Sequence, residues 1–265
     1  MGKAARIKRE RSAAPPPPVG KAARHSEQMR LVKLGTAGVA VVIAVVVAVL
    51  LATRSSTPTP AAASPSAADA NAPASLVAAA QKVGFHPTTE AGVGQVESKP
   101  ASAGGPPSNP NLLPVGSQAP AFALKTPQGA TVKLSDFRGK AVLLEFFASW
   151  CPHCNAEAPY LRKLYASLPH DRYAFVSVNA DGETAPSVYA FHRYYGLQYA
   201  ALVDPSSQPG SFKSPGAAGR VTSAYQVQSF PTFYVLDGHG KIVWRSDGEQ
   251  PNALLRNELA AAARA

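Results

Sequence analysis

The run KAVLLEFFAS, Lys140 to Ser149, constrains this chain more than any other stretch. Its apolar side chains are nearly continuous, so a strand built from it must be buried on both faces. Such a strand belongs in the middle of a sheet with helices on both sides. The run leads directly into Trp150-Cys151-Pro152-His153-Cys154, which holds the only two cysteines of the 265 residues. Helical spacing follows at once, with Ala158, Leu161, Leu164, Tyr165 and Leu168 on one side. Cys151 is therefore expected where a buried strand hands over to a helix, and Cys154 one turn inside that helix.

The rest of the C-terminal half fits around this unit. AFALKTPQGATVKLSDF reads as two short strands about a Pro-Gln-Gly turn, and YAFVSVNA as a second buried strand. TAPSVYAFHRYYGL reads as a helix with Pro186 in its first turn. A short strand (YAALVDP), a helix (AAGRVTSAYQV), a strand (FPTFYVLD), its hairpin partner (KIVWRSD) and a closing helix (PNALLRNELAAAARA) complete the pattern. The order β-β-β-α-β-α-β-α-β-β-α predicts an α/β domain over 112–265, with a mixed central sheet, helices on both faces and an N-terminal β-hairpin.

The N-terminal half has a different composition. Met1 to Lys33 carries nine Lys and Arg against Glu10 and Glu27, a local charge of +7 within a total of +10. The remaining 232 residues share +3, so no basic folded surface and no nucleic-acid partner are expected. LGTAGVAVVIAVVVAVLLAT, Leu34 to Thr53, is twenty residues without a charge. As a helix it spans ~30 Å, the thickness of a bilayer core. It is longer than a signal-peptide core, and no clear cleavage site follows, so an uncleaved anchor is expected. The basic excess places residues 1–33 in the cytoplasm and the rest outside it. Residues 54–111 are rich in Pro, Ala and Ser and read as a disordered linker. One short amphipathic helix is expected within it, at 75–84.

The cysteine pair admits four readings. A structural zinc site needs four ligands, and there is no second pair or close histidine pair. A c-type haem tether needs His after the second cysteine, where Asn155 stands. A structural disulfide across so small a loop constrains the unfolded chain little. A reactive dithiol fits best. A helix N-terminus offers free N–H groups and partial positive charge to Cys151, and His153 can add a donor or a charge. Pro152 lacks an N–H but favours the first helical turn. Cys151 is then the exposed attacking thiol of low pKa, and Cys154 the shielded resolving thiol.

These residues carry a resemblance. WCPHC after an apolar strand, with FPT and a further strand some eighty residues on, resembles the thioredoxin superfamily. The segment PAFALKTPQGATVKLSDFRGKAVLLEFFASWCPHCNAEAPYL is more narrowly similar to the membrane-anchored TlpA/ResA-like thiol–disulfide oxidoreductases, which share a redoxin-type N-terminal hairpin with peroxiredoxins. The resemblance spans about Pro114 to the C-terminus and implies a thioredoxin-like fold. It implies that Trp150 flanks the site. It implies that Glu145 is the buried carboxylate that relays the proton of Cys154, its pKa raised by desolvation. Glu157 matches a glutamate kept near the active site, Pro159 a helix-kinking proline, and Pro231 the cis-proline facing the dithiol. Phe230 would then offer its backbone to a bound substrate strand, with Trp150 and Pro152 beside it. The plainer alternatives are a strand-end Glu145 reaching solvent, a solvated Glu157 and a surface His153.

Cys-Pro-His-Cys is also the sequence of strongly oxidising DsbA-like proteins, whereas many TlpA/ResA-like reductants carry other residues between the cysteines. A peroxiredoxin-like peroxidase would need P-x-x-x-T-x-x-C, and Cys151 has Leu144 and Ala148 at those places. A copper carrier on this fold would need one more residue between the cysteines. A non-catalytic interaction module gives no reason for the pair. The sequence therefore predicts a membrane-anchored extracytoplasmic thiol–disulfide oxidoreductase. No metal or organic cofactor is called for beyond the Cys151–Cys154 couple. The expected partners are protein thiols and disulfides, with apocytochrome c as a family-level candidate, and a separate redox partner that recharges the pair.

Overall fold

The computed structural model describes residues 72–90, 109–205 and 219–265. The basic segment 1–33, the anchor expected at 34–53 and most of the linker expected at 54–111 lie outside the described residues. Among those described, no helix is long and apolar enough to cross a membrane.

In chain order the elements are α1 (Ala74–Val83), β1 (Ala123–Lys125), β2 (Thr131–Lys133), β3 (Ala141–Phe147), α2 (Pro152–Ala166), β4 (Tyr173–Asn179), α3 (Ala185–Tyr195), β5 (Ala200–Val203), α4 (Arg220–Ala224), β6 (Thr232–Leu236), β7 (Ile242–Asp247) and α5 (Asn252–Ala262). From β1 onward this is the predicted order. The seven strands form one mixed sheet in the order β2-β1-β5-β4-β3-β6-β7. β3 pairs parallel with β4 and antiparallel with β6, and all seven of its residues are buried, as a central strand requires. The hairpin β1–β2 extends the sheet past β5, through Lys125 opposite Val203.

Adjacent side chains of β3 point to opposite faces. Phe147 packs on Phe191 of α3, with ring centroids 4.9 Å apart. Phe146 packs on Tyr225, just past α4, at 5.0 Å. Helices therefore cover both faces, and β3 delivers Cys151 between them.

The structure alters two expectations. The stretch LSDF leaves the second strand and makes a 3-10 turn, Leu134–Phe137, because Asp136 Oδ2 accepts from the backbone N of Lys133 at 2.8 Å and closes the chain on itself. The folded part also begins well before residue 112. Helix α1, predicted at 75–84 inside a linker, is a packed element. Leu76 and Ala80 are buried against Tyr189 and Ala190 of α3, and Gly84 ends the helix in the left-handed conformation, φ 65°. Amphipathic spacing predicted the helix, but nothing local identified the surface it covers.

Candidate active site

Cys151 is the N-cap of α2. Its extended backbone (φ −72°, ψ 120°) turns Sγ back over the first turn, where it accepts from the Cys154 N–H at 3.4 Å. Pro152 occupies the first helical position, where a missing N–H costs nothing. Both cysteines are free thiols. Cys154 is fully buried, and Cys151 keeps only 4% of its surface exposed. Cys151 is thus less open than the sequence suggested, because the loop before β6 closes over it. The Phe230–Pro231 bond in that loop is cis. The Phe230 carbonyl, expected to await a substrate strand, instead receives the Cys151 thiol at 3.6 Å.

The two thiols are driven apart electrostatically. Cys151 is lowered to about 7, first by a hydrogen bond from the Cys154 side chain, then by the backbone N–H groups of Cys154 and His153 and the His153 charge, against the opposing effect of burial. Burial pushes Cys154 up, and the neighbouring Cys151 adds to that. Glu145 lies buried in the middle of β3 and accepts a hydrogen bond from Ser177 Oγ at 2.5 Å. Burial is the main cause that raises its pKa to about 7, with Cys151 contributing in the same direction and the Ser177 hydrogen bond opposing. The Glu145 charge is also felt at Cys154. The site therefore pairs a thiol that ionises near neutrality with a second thiol held protonated by burial, and it sets a buried carboxyl group of raised pKa in the same interior.

His153 stands at the helix start, half-exposed, with Nδ1 2.6 Å from Glu249 Oε1. Glu157 is buried rather than solvated, and its Oε1 accepts from the backbone N of Gln250 at 3.0 Å. It thus joins the site through the loop after β7, whose neighbouring Glu249 meets His153. The same loop returns to the cis-proline turn, where Gly248 N donates to the Pro231 carbonyl at 2.7 Å. Pro159 lies inside α2. Trp150 is half-exposed beside Cys151, edge-on to Phe230 with centroids 6.1 Å apart. The structure thus brings together Cys151, Cys154, Trp150, Pro152, His153, Phe230, Pro231 and Glu145, and attaches Glu157 at one remove.

Several residues of the site escaped the sequence reading. Trp150 Nε1 donates to Asp181 Oδ2 at 2.7 Å. Ser149 donates to Glu183 from its backbone N at 2.7 Å and from its hydroxyl. Both carboxylates sit in NADGE, just past β4, and brace the turn that carries Cys151. Buried Asn155 Nδ2 donates to the carbonyls of Ser149 (2.8 Å) and Cys151 (2.7 Å). A usable signal existed: two carboxylates beyond the carboxyl end of a buried parallel strand, where functional groups in open α/β sheets collect. Among the described residues no group of three or more His, Cys, Asp or Glu is placed to hold a metal ion.

The sequence profile of the AhpC/TSA family matches residues 115–245. The thiol-disulfide oxidoreductase ResA of Bacillus subtilis (strain 168) is 30% identical over 144 residues, 54% of this chain and 73% of that protein. ResA of Bacillus cereus (strain ATCC 10987 / NRS 248) is 29% identical over 152 residues, 57% of this chain and 80% of that protein. The thioredoxin domain of a thiol-disulfide oxidoreductase from Bacteroides vulgatus superposes with a TM-score of 0.45 at 26% identity, over 57% of this chain and 99% of that one. The class is that of thiol–disulfide oxidoreductases, here built on a mixed seven-stranded sheet. Within it, the chain belongs to the ResA-like family.

Proposed function

We propose that this oxidoreductase is anchored by Leu34–Thr53, works outside the cytoplasm, and exchanges disulfides with protein substrates through Cys151 and Cys154. The observation that carries this is the asymmetry of the dithiol. Cys151 caps the helix and is lowered to about 7, while Cys154, buried behind it, is raised. The Cys151 thiolate attacks one sulfur of a substrate disulfide. That bond breaks, a mixed disulfide forms, and the other substrate sulfur leaves as a thiolate. Glu145 takes the proton of Cys154. The Cys154 thiolate then attacks Cys151 Sγ, forms the Cys151–Cys154 disulfide, and releases the second substrate thiolate. Two electrons pass from the dithiol to the substrate, and oxidation of a substrate dithiol runs the same steps in reverse. Trp150, Pro152 and the Phe230–Pro231 turn form the surface a substrate meets, and the Phe230 carbonyl must exchange Cys151 for the incoming chain. Apocytochrome c is a client suggested by the family resemblance alone. A further redox partner recharges the pair.

The reduced protein is expected to cleave a test disulfide such as that of insulin with one Cys151–Cys154 disulfide formed per event, and to leave hydrogen peroxide unconsumed at the same dithiol supply. Fast peroxide turnover with slow protein exchange would instead favour a peroxidase, the reading closest to the AhpC/TSA profile.

Topology has its own test. Alkaline carbonate washing should leave the chain in the membrane, and protease added outside should release a fragment containing Cys151. A fragment released only from the cytoplasmic side would reverse the orientation drawn from the +7 tail.

A further inference from the structure

Residues 72–90 do more than lead into the domain. After α1, Gly84 turns the chain and Phe85 enters an aromatic group on α3, with ring centroids 5.5 Å from Phe191, 5.1 Å from Tyr194 and 6.0 Å from Tyr195. Three residues later the backbone N of Thr88 donates to Asn155 Oδ1 at 3.3 Å. The Tyr195 hydroxyl donates to the same oxygen at 2.8 Å. Asn155 is 4% exposed, and the other end of its amide donates to the carbonyls of Ser149 and Cys151. One buried side chain therefore has its oxygen fixed by α3 and by the segment after α1. With its nitrogen it grips both ends of the Ser149–Cys151 turn.

That turn decides where Cys151 Sγ sits. Its backbone must hold the N-cap conformation for Sγ to face the free N–H groups of the first helical turn, and the stabilisation they give a thiolate fades within that turn. A primary amide suits the position because it presents two acceptor sites on one side and two donors on the other. Loss of the amide leaves the Tyr195 hydroxyl without that acceptor and the Ser149 carbonyl without that donor in a buried place, while the Cys151 carbonyl keeps only the Asn155 backbone N–H at 3.0 Å, so the Ser149 end of the turn is released.

We propose that Asn155 is a positioning residue for Cys151, held in place by Tyr195 and by residues 85–88, so that the segment preceding the sheet tunes the reactivity of the attacking thiol. This rests on Cys151 being the attacking thiol.

The test uses the full reduced chain and iodoacetamide. The alkylation rate at Cys151, read by peptide mass, is followed from pH 5 to pH 10. In the parent the profile should turn near pH 7. Asn155→Ala should move the turn upward and slow alkylation at pH 6 about fivefold, with the rates converging above pH 9. Phe85→Ala, which alters nothing next to the sulfur, should shift the profile in the same direction by about twofold, and Phe85→Leu should restore most of it. Tyr195→Phe removes one oxygen and keeps the packing, so it reports even where Asn155→Ala does not fold. It too should shift the profile upward. A residue with only a structural role would lower the melting temperature and leave the pH profile where it was. Parental profiles in folded Tyr195→Phe and Phe85→Ala would overturn the proposal. A parent profile turning at the ordinary thiol value of ~8.5 would overturn the attacking-thiol assignment itself, and the proposal with it.

Discussion

Cys151→Ser is expected to abolish disulfide exchange, whereas Cys154→Ser is expected to stop it one step later and trap the substrate. The difference follows from ionisation. A thiol lowered to about 7 is half thiolate at neutral pH, while one at the ordinary ~8.5 is about 3% thiolate, roughly a fifteen-fold difference in nucleophile. Cys154 lies on the other side of that comparison, since burial and the adjacent sulfur push it up. Serine at 151 removes the sulfur that attacks, and fully buried Cys154 cannot reach a substrate in its place. Serine at 154 leaves Cys151 at the helix start with the backbone N–H groups and His153 still lowering it. The first attack should proceed, somewhat slowed because the hydrogen bond from the Cys154 side chain is the largest cause of the lowering. The mixed disulfide then lacks an internal thiol to break it. It should accumulate as a higher-mass band lost on reduction, and mass spectrometry of that band would name the client. Equal behaviour of the two variants, with no trapped species in either, would remove the assignment of attacker and resolver.

The elements that define the scaffold were legible because each carries a local signal. β3 announces itself as a continuous apolar run. The start of α2 is marked by Cys151-Pro152, two residues beyond the end of that run. The β6–β7 hairpin follows from Gly238-His239-Gly240, whose backbone folds onto Asp237: its Oδ1 accepts from the N of His239 and of Lys241, both at 2.9 Å. The contacts that tune the site carry no such signal. Trp150 finds Asp181, Ser149 finds Glu183, Asn155 finds Thr88 and His153 finds Glu249 across sequence separations of 31, 34, 67 and 96 residues. Periodicity reports neighbours two to four residues apart, along one strand or one helix face. These pairs exist because parallel β3 and β4 end side by side, and because α1 and the loop after β7 are laid against the ends of α2 and α3. The same reason explains the early start of the fold. α1 has the composition of its surroundings, and only the apolar face of α3 shows what it is for. Glu157 illustrates both halves: its position was visible from the resemblance, but its contact, the backbone of Gln250, was not.

Glu145→Gln should slow release of the mixed disulfide at neutral pH while sparing its formation. Cys154 must lose a proton to attack, and it lies buried where solvent hydroxide has little access. Glu145 carries the opposite tendency to an ordinary surface carboxyl: burial raises its pKa to about 7, so near neutrality it can accept that proton and return it. Glutamine keeps the size and an acceptor for Ser177 Oγ but cannot take a proton. Release should fall by about 10²-fold at pH 7, the usual scale for a lost proton acceptor, and recover partly at high pH as hydroxide deprotonates Cys154 directly. The attack of Cys151 should be little changed, because its lowering comes mainly from Cys154 and the helix start. Stability should move the other way. The folded protein holds a proton on Glu145 that the unfolded chain releases near 4.5, so the stability this neutral group allows is present below pH 4.5 and is lost as pH rises through about 7. Glutamine never ionises. The variant should therefore match the parent in acid and exceed it above pH 7 by up to about 3 kcal/mol. His192, buried and lowered to about 3, acts in the opposite sense: its contribution is lost as pH falls below 6.5. It is common to both proteins and cancels in their difference. A difference in unfolding free energy that stays flat from pH 4 to pH 8 would show that Glu145 ionises as an exposed carboxyl does. The proton of Cys154 would then need another acceptor.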